Sequence, residues 1–238
     1  DYLAAKKEHA LYLIYSGGDD AFVVGKWDKL IDFSKQLHTD FHEFTKNPNV
    51  HFSAGLYLGD PHYPVGRFYR DAGRLQDAAK DSNRDKDRVH IFNQPLTWKG
   101  YRSKINFGTG LAKMLSKGDG KDTRKLTMAF AYRLLQLVKT SFFERNDVSK
   151  GEKRGGINMP RFARNVANMR YLFARHGYDH AETEKVLDGV EKELINDFLR
   201  SFDFDSKNDM NKVREYLVAL NYALYTIRSQ KNSDYENR

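Results

Sequence analysis

Two apolar, β-rich runs, Leu11-Tyr12-Leu13-Ile14-Tyr15 and Ala21-Phe22-Val23-Val24, are separated only by Ser16-Gly17-Gly18-Asp19-Asp20. Apolar runs this close together, joined through Gly-Gly, predict an antiparallel hairpin of two buried strands. The tip then carries two neighbouring carboxylates, which repel one another. Turn formation alone accounts for Asp and Gly at such a place. The same residues also suit a second role. Glycine lets a phosphate or a nucleic-acid backbone come close, and clustered carboxylates are what a hard divalent cation requires. A tip of this kind can bind Mg²⁺ and a triphosphate, and two metals there would serve nucleotidyl transfer.

The residues that follow give the hairpin its backing. Leu30, Phe33, Leu37, Phe41 and Phe44 recur at the three-to-four spacing of a helix with one buried face, over residues 27–44. Asn47-Pro48-Asn49 stops that helix, and VHFSAGLYLG supplies a third strand. A Pro61/Pro64 loop leads into a second helix over residues 66–81, and RVHIFN reads as the last strand. Strand pairs alternating with single helices predict an α+β layer, one sheet covered by helices. Glycines 100, 108, 110, 118 and 120 then mark a polar connection, which divides the chain into residues 1–110 and residues 111–238. Helical periodicity returns over residues 126–144, 160–175, 181–202 and 211–229, with SKGEKRGG separating the first two, so the second part is expected to be a bundle of about four helices.

The bulk composition narrows the function classes. No cysteine is present, so neither a disulfide framework nor a thiolate metal site can form. No apolar run reaches the length of a membrane span, and a cytoplasmic location is the default expectation. The chain starts at Asp1, without an initiator methionine or the order of a signal peptide, and is expected to begin within a longer protein. Its net charge of +8 is uneven, +2 over residues 1–110 and +6 over residues 111–238, so the second part carries the basic surface and an anionic partner is favoured. In residues 160–175, Phe162, Val166, Met169 and Phe173 form a core stripe. Arg161, Arg164, Asn168 and Arg175 gather on another face, which is either solvated or meets RNA phosphate or an acidic subunit. Lys80, at the end of the second helix beside a returning strand, reads either as a solvated end-of-helix lysine or as a point charge for triphosphate oxygens.

The succession IYSGGDDAFVVGKWDKLIDFS, SAGLYLGDPHYPVGRFYRDAGRLQDAAK and RVHIFNQPLTW resembles the second palm domain of the large subunit of type III CRISPR effector complexes, the Csm type above all. LTMAFAYRLLQLVKTSFFER, MPRFARNVANMRYLFARHG and LVALNYALYTIR are similar to the C-terminal helical domain of that subunit. The resemblance implies a partial palm, a ferredoxin-like nucleotide-cyclase sheet, followed by an all-α domain. It further implies synthesis of cyclic oligoadenylate from ATP when guide RNA pairs with target RNA inside a multisubunit ribonucleoprotein. By position, Asp19 and Asp20 would hold Mg²⁺ or Mn²⁺, Gly17 and Gly18 would seat ATP phosphates, Ser16 would lie beside the nucleotide, and Lys80 would contact phosphate as in GGDEF-type cyclases. The family's histidine–aspartate nuclease domain, first palm and opening palm strand are not represented, so catalysis is expected only with the remaining domains of the subunit. Its cysteine-bearing zinc element is not represented either, and no zinc is expected. Two rivals stand beside this reading: a non-catalytic scaffold piece that binds guide RNA or sister subunits, and a free-standing nucleotide cyclase.

Three other patterns are set aside. His38 and His42 have the i, i+4 spacing of a zinc pair, but Thr39 stands where a zinc protease needs glutamate, so a solvated or partly buried pair is expected. His176 and His180 straddle Gly177 as an ordinary positive end-cap. GTG at residues 108–110 and KGDGKD at residues 117–122 lack the full phosphate-loop spacing and read as linker turns.

Overall fold

The computed structural model describes residues 11–60, 62–82, 86–115, 127–147, 152–157, 159–177, 196 and 207–236. The chain divides into two compact units, Asp1–Arg102 and Ser103–Arg238. That division falls inside a helix, α3 (Trp98–Leu115). Glycines 100, 108 and 110 are therefore helical, where the sequence reading had a polar connection.

In the first unit, β1 (Leu11–Gly17) pairs antiparallel with β2 (Asp20–Gly25), from Leu11↔Gly25 to Gly17↔Asp20, with the register shifting between Leu13 and Tyr15. The single-residue bulge at Ile14 is the device by which a ribbon takes up extra twist. This hairpin is a two-stranded sheet by itself. The expected single sheet is thus corrected to two, and the expected burial of β1 is corrected as well: Tyr12, Leu13, Ile14 and Tyr15 are each about half exposed or more. The reason is that, among the described residues, no strand other than β2 flanks β1. β2 meets the helical layer, where Phe22 packs edge-to-face on Tyr69 with ring centroids 5.4 Å apart.

The helix α1 (Trp27–Thr45) ends where Lys46 turns left-handed at φ 47° and returns its N–H to His42 O. Its buried residues are Ile31 and Ser34, one step out of phase with the expected stripe, and Phe44 is 89% exposed. Ser34 sits inside because its polar atom is satisfied. Its hydroxyl donates to Ile31 O at 2.8 Å and lies 3.0 Å from the phenol oxygen of buried Tyr101. Arg102 donates to Lys35 O and to Thr39 Oγ1, so the start of α3 is tied to α1 by hydrogen bonds.

The second sheet has the order β3-β4-β5. Strand β3 (Ala54–Leu56) runs parallel to β4 (Arg88–Ile91), and the connection between them is α2 (Val65–Asp81), a βαβ unit. Strand β5 (Gln94–Thr97), which sequence reasoning missed, returns antiparallel through Phe92-Asn93. Both turn residues have positive φ, 49° and 60°, as a type I′ turn demands. Val89, Ile91 and Leu96 are fully buried. Helix and sheet approach so closely at Gly55 that a Cβ there would lie 2.3 Å from Ala72 O and 2.4 Å from Gln76 N, both backbone atoms.

In the second unit, α4 (Met128–Thr140) starts at the N-cap Thr127, whose side chain accepts from Phe130 N. The expected helix over residues 126–144 is cut short at Thr140. Thr140 and Ser141 hydroxyls bond back to Gln136 O and Leu137 O, and Asn165 Nδ2 donates to Leu137 O, so the last carbonyls of the helix are capped by side chains. The chain then forms β6 (Phe142–Asp147), paired antiparallel with β7 (Glu152–Ile157), where the sequence reading had a spacer. Helices α5 (Met159–Gly177) and α6 (Lys207–Glu236) follow. Leu111, Ala112 and Leu115 of α3 join Phe130, Leu134 and Val138 of α4, Phe162, Met169 and Phe173 of α5, and Tyr216, Leu220 and Leu224 of α6 in one core. The expected helix over residues 181–202 lies, apart from residue 196, outside the described residues. No helix among the described residues is long and apolar enough to cross a membrane.

Replacing Gly55 by alanine forces a methyl group into backbone and should lower stability by about 3 kcal/mol. Gly73→Ala, in the same layer but with nothing within 4 Å of its Cβ position, should raise it by about 0.5–1 kcal/mol. Urea unfolding of the two variants checks the contrast, and equal effects would contradict the close approach.

Candidate functional site

The tip of the β1–β2 hairpin is a two-residue turn closed by the Gly17↔Asp20 pair. Gly18, the first central residue, has φ 62°, while Asp19 is not among the described residues of positive φ. That is the type II′ pattern, which requires glycine first and whose twist matches that of the flanking strands. A Cβ on Gly18 would meet nothing within 4 Å, so the tip is open on that side. At Gly17 a Cβ would fall 2.6 Å from the Tyr15 phenol oxygen, so this glycine makes room for the tyrosine ring.

Asp19 stands in the turn and Asp20 begins β2, both exposed. No hydrogen bond or ion pair engages either carboxylate among the described residues. Ser16, also exposed, lies opposite Ala21. The structure therefore brings Ser16, Gly17, Gly18, Asp19 and Asp20 onto one open tip. Lys80 is half-buried in the last turn of α2. It lies eleven residues beyond Tyr69, the α2 residue that touches the hairpin, or about 16 Å along the helix axis. No hydrogen bond or ion pair joins it to the tip.

In the second unit, Arg161, Arg164, Asn168 and Arg175 are exposed on α5, while Phe162, Met169 and Phe173 are buried and Val166 is packed against them. Tyr171, 63% exposed, falls on the same stripe as the arginines, three residues after Asn168 and four before Arg175. Sequence reasoning passed over it, although the i, i+3, i+4 spacing was there to be read.

A second cluster lies in the first unit. His38 and His42 sit one turn apart on α1 with Nε2 atoms 3.2 Å apart. The His38 ring stacks on the indole of Trp98 at 4.4 Å. Asp87, one residue before β4, places Oδ1 3.6 Å from His38 Nε2 and 3.9 Å from His51 Nδ1. Burial, the facing His42 charge and Arg102 push the His38 pKa down to about 4, with Asp87 opposing them. His90, buried on β4, is likewise lowered by burial. The pair is partly buried, and Asp87 and His51 join it from segments that no short-range spacing connects.

These elements, a hairpin with two acids at its tip beside a βαβ unit, are those of a palm-type domain. Residues 2–90 match the family model of the Cas10/Cmr2 second palm domain. Along the chain the similarity is to CRISPR system single-strand-specific deoxyribonucleases Cas10/Csm1 of subtype III-A. The protein of Mycobacterium tuberculosis is 39% identical over 128 residues, 53% of this chain and 15% of the relative. That of Streptococcus thermophilus is 27% identical over 219 residues, 92% of this chain and 25% of the relative. That of Enterococcus italicus is 26% identical over 217 residues, 91% and 23% respectively. The chain spans a quarter or less of the length of these relatives. Residues 2–90 thus carry a second palm domain of the Cas10/Cmr2 kind, and most of the chain is similar to Cas10/Csm1 proteins.

Because His38 and His90 are harder to protonate folded than unfolded, their contribution to stability is complete above pH 6.5 and is lost as pH falls from 6.5 toward 4. The thermal midpoint of the chain in a chelating buffer should fall across that window, and His38→Gln should flatten part of the fall. A variant with the same slope as the parent would contradict the assignment.

Proposed function

We propose that this chain is the palm and helical part of the large subunit of a type III CRISPR effector, and that it makes cyclic oligoadenylate from ATP when guide RNA in the complex pairs with target RNA. The observation that carries the reading is the pair of carboxylates at the Gly18 turn, engaged by no hydrogen bond or ion pair among the described residues, inside the segment that matches a palm domain. Two exposed carboxylates are hard oxygen donors and fit Mg²⁺ or Mn²⁺. A divalent cation held by Asp19 and Asp20 would neutralise phosphate charge and acidify the attacking hydroxyl.

The chemistry is a displacement at phosphorus. The 3′-oxygen of one adenosine forms a bond to the α-phosphorus of another ATP, the bond from that phosphorus to the β-bridging oxygen breaks, pyrophosphate leaves, and the hydroxyl proton passes to solvent. Gly18 leaves its side of the turn open, so phosphates can approach the backbone there, while Gly17 makes room for the Tyr15 ring and Ser16 stands beside them. No side chain at the tip is placed as a general base, so the contribution of the protein is positioning and charge. Lys80 would act as a phosphate contact only if α2 brings its last turn to the nucleotide. The arginine stripe of α5, with Tyr171 among its cations, suits RNA phosphate and a stacked base, or an acidic sister subunit. This same stripe is what favours the scaffold reading, in which the bundle binds guide RNA or sister subunits and the palm is silent.

The test is labelled ATP with Mg²⁺ or Mn²⁺, supplied to the assembled complex with and without complementary RNA. Cyclic oligoadenylate should appear only with the RNA. The double variant Asp19→Ala/Asp20→Ala should assemble normally and lose activity by about a thousandfold, the several kcal/mol a metal site supplies. Unchanged product in the double variant would remove the site, and synthesis that ignores target RNA would favour a free-standing cyclase.

A further inference from the structure

We propose that His38, His42 and Asp87 form a site for one divalent transition-metal ion of the zinc class, with His51 as the adjacent fourth donor, which staples α1 to the β3-β4-β5 sheet. One candidate donor atom from each of His38, His42 and Asp87 lies within 4.8 Å of the others. Zinc binds imidazole nitrogen and carboxylate oxygen at about 2.0–2.2 Å in a tetrahedron, which sets neighbouring donor atoms roughly 3.3–3.5 Å apart. The two spacings from His38 Nε2, 3.2 Å to His42 and 3.6 Å to Asp87, bracket that value.

A second observation points to a missing partner. Asp87 Oδ1 is shut away from solvent and has no hydrogen-bond partner. A buried carboxylate oxygen without a donor is costly, and such an atom calls for an unseen cation or donor. Among the described residues, the ion-pair partners within 4 Å of Asp87 Oδ1 are two histidines, at 3.6 and 3.9 Å, too far for hydrogen bonds but well placed to share an ion.

The ligands are also held in place before any ion arrives. His38 stacks on Trp98, whose indole N–H donates to Phe52 O. Phe52 in turn packs on Phe41 and Trp98. Ser53 Oγ donates to Lys86 O at 2.5 Å, fixing the backbone immediately before Asp87. The four donors come from α1, from the segment leading to β3 and from the residue preceding β4, so an ion among them would tie α1, which meets this sheet through aromatic packing, to the paired β3–β4 edge. Imidazoles with one carboxylate favour zinc-class ions over Mg²⁺ or Ca²⁺. The site thus differs in chemistry from the all-oxygen tip at Asp19 and Asp20, and neither depends on the other.

The full chain, without a histidine tag and stripped with chelator, should be titrated with Co²⁺ and then with Zn²⁺. One equivalent of Co²⁺ should give the intense visible bands of tetrahedral coordination, and Zn²⁺ should abolish them. Zn²⁺ at about a hundred times its dissociation constant should raise the thermal midpoint by about 5 °C or more. Both signals should persist in Asp19→Ala/Asp20→Ala and vanish in His42→Gln and in Asp87→Asn. Absence of the bands in the parent chain, or their survival in His42→Gln, would overturn the proposal. Should a variant fail to fold, imidazole ¹⁵N spectra of the parent chain decide the question. Zn²⁺ must shift His38 and His42 Nε2, and shifts confined to other histidines would equally overturn it.

Discussion

One backbone torsion governs the hairpin. Gly18 at φ 62° lets two residues reverse the chain, and the type II′ geometry gives the flanking strands a matching twist. With the turn closed at Gly17↔Asp20, the register of the pair follows, and Asp19 and Asp20 stand at the point of reversal. Any side chain at Gly18 would have to enter a region that L-residues avoid, and a longer loop would separate the acids from the strand that holds them. The placement of the carboxylates is thus a by-product of the smallest turn that can join β1 to β2.

What supports the hairpin is lopsided. β2 leans on α2 through Phe22 and Tyr69, whereas β1 shows Tyr12, Leu13, Ile14 and Tyr15 to solvent. An isolated two-stranded ribbon is marginal in water, and an exposed apolar edge strand invites pairing. The stiffer part of the unit is the βαβ element, where Gly55 allows helix and sheet to touch backbone to backbone and Ile91, Val89 and Leu96 are sealed inside. The aromatic cluster of Phe41, Phe52, Trp98 and His38 joins α1 to this sheet.

Most helices were legible because their apolar residues recur at a spacing that needs no tertiary information, and the Gly-Gly turn announced the hairpin with its five tip residues. The failures have separate physical causes. Strand β5 was hidden because its turn uses Phe92 and Asn93 at positive φ, where a glycine would have signalled it. The stop of α4 was hidden because its caps, Thr140, Ser141 and Asn165, act through side chains, one of them from another helix. The exposure of β1 depends on which strands flank it, and local pattern does not encode that. At the His38 cluster the pair on α1 was visible, but Asp87 is brought in by the fold from 45 residues beyond His42.

The central claim is that the two carboxylates at the glycine turn hold cations against an adenine nucleotide. The most direct measurement is a crystal structure of the protein with a non-hydrolysable ATP analogue and Mn²⁺, using anomalous scattering to locate the metal. The account predicts Mn²⁺ within coordination distance of the Asp19 and Asp20 carboxylates, about 2.0–2.3 Å, with analogue phosphates on the same ions. Nucleotide bound with no anomalous peak at the tip, or with both carboxylates turned away from the phosphates, would contradict it.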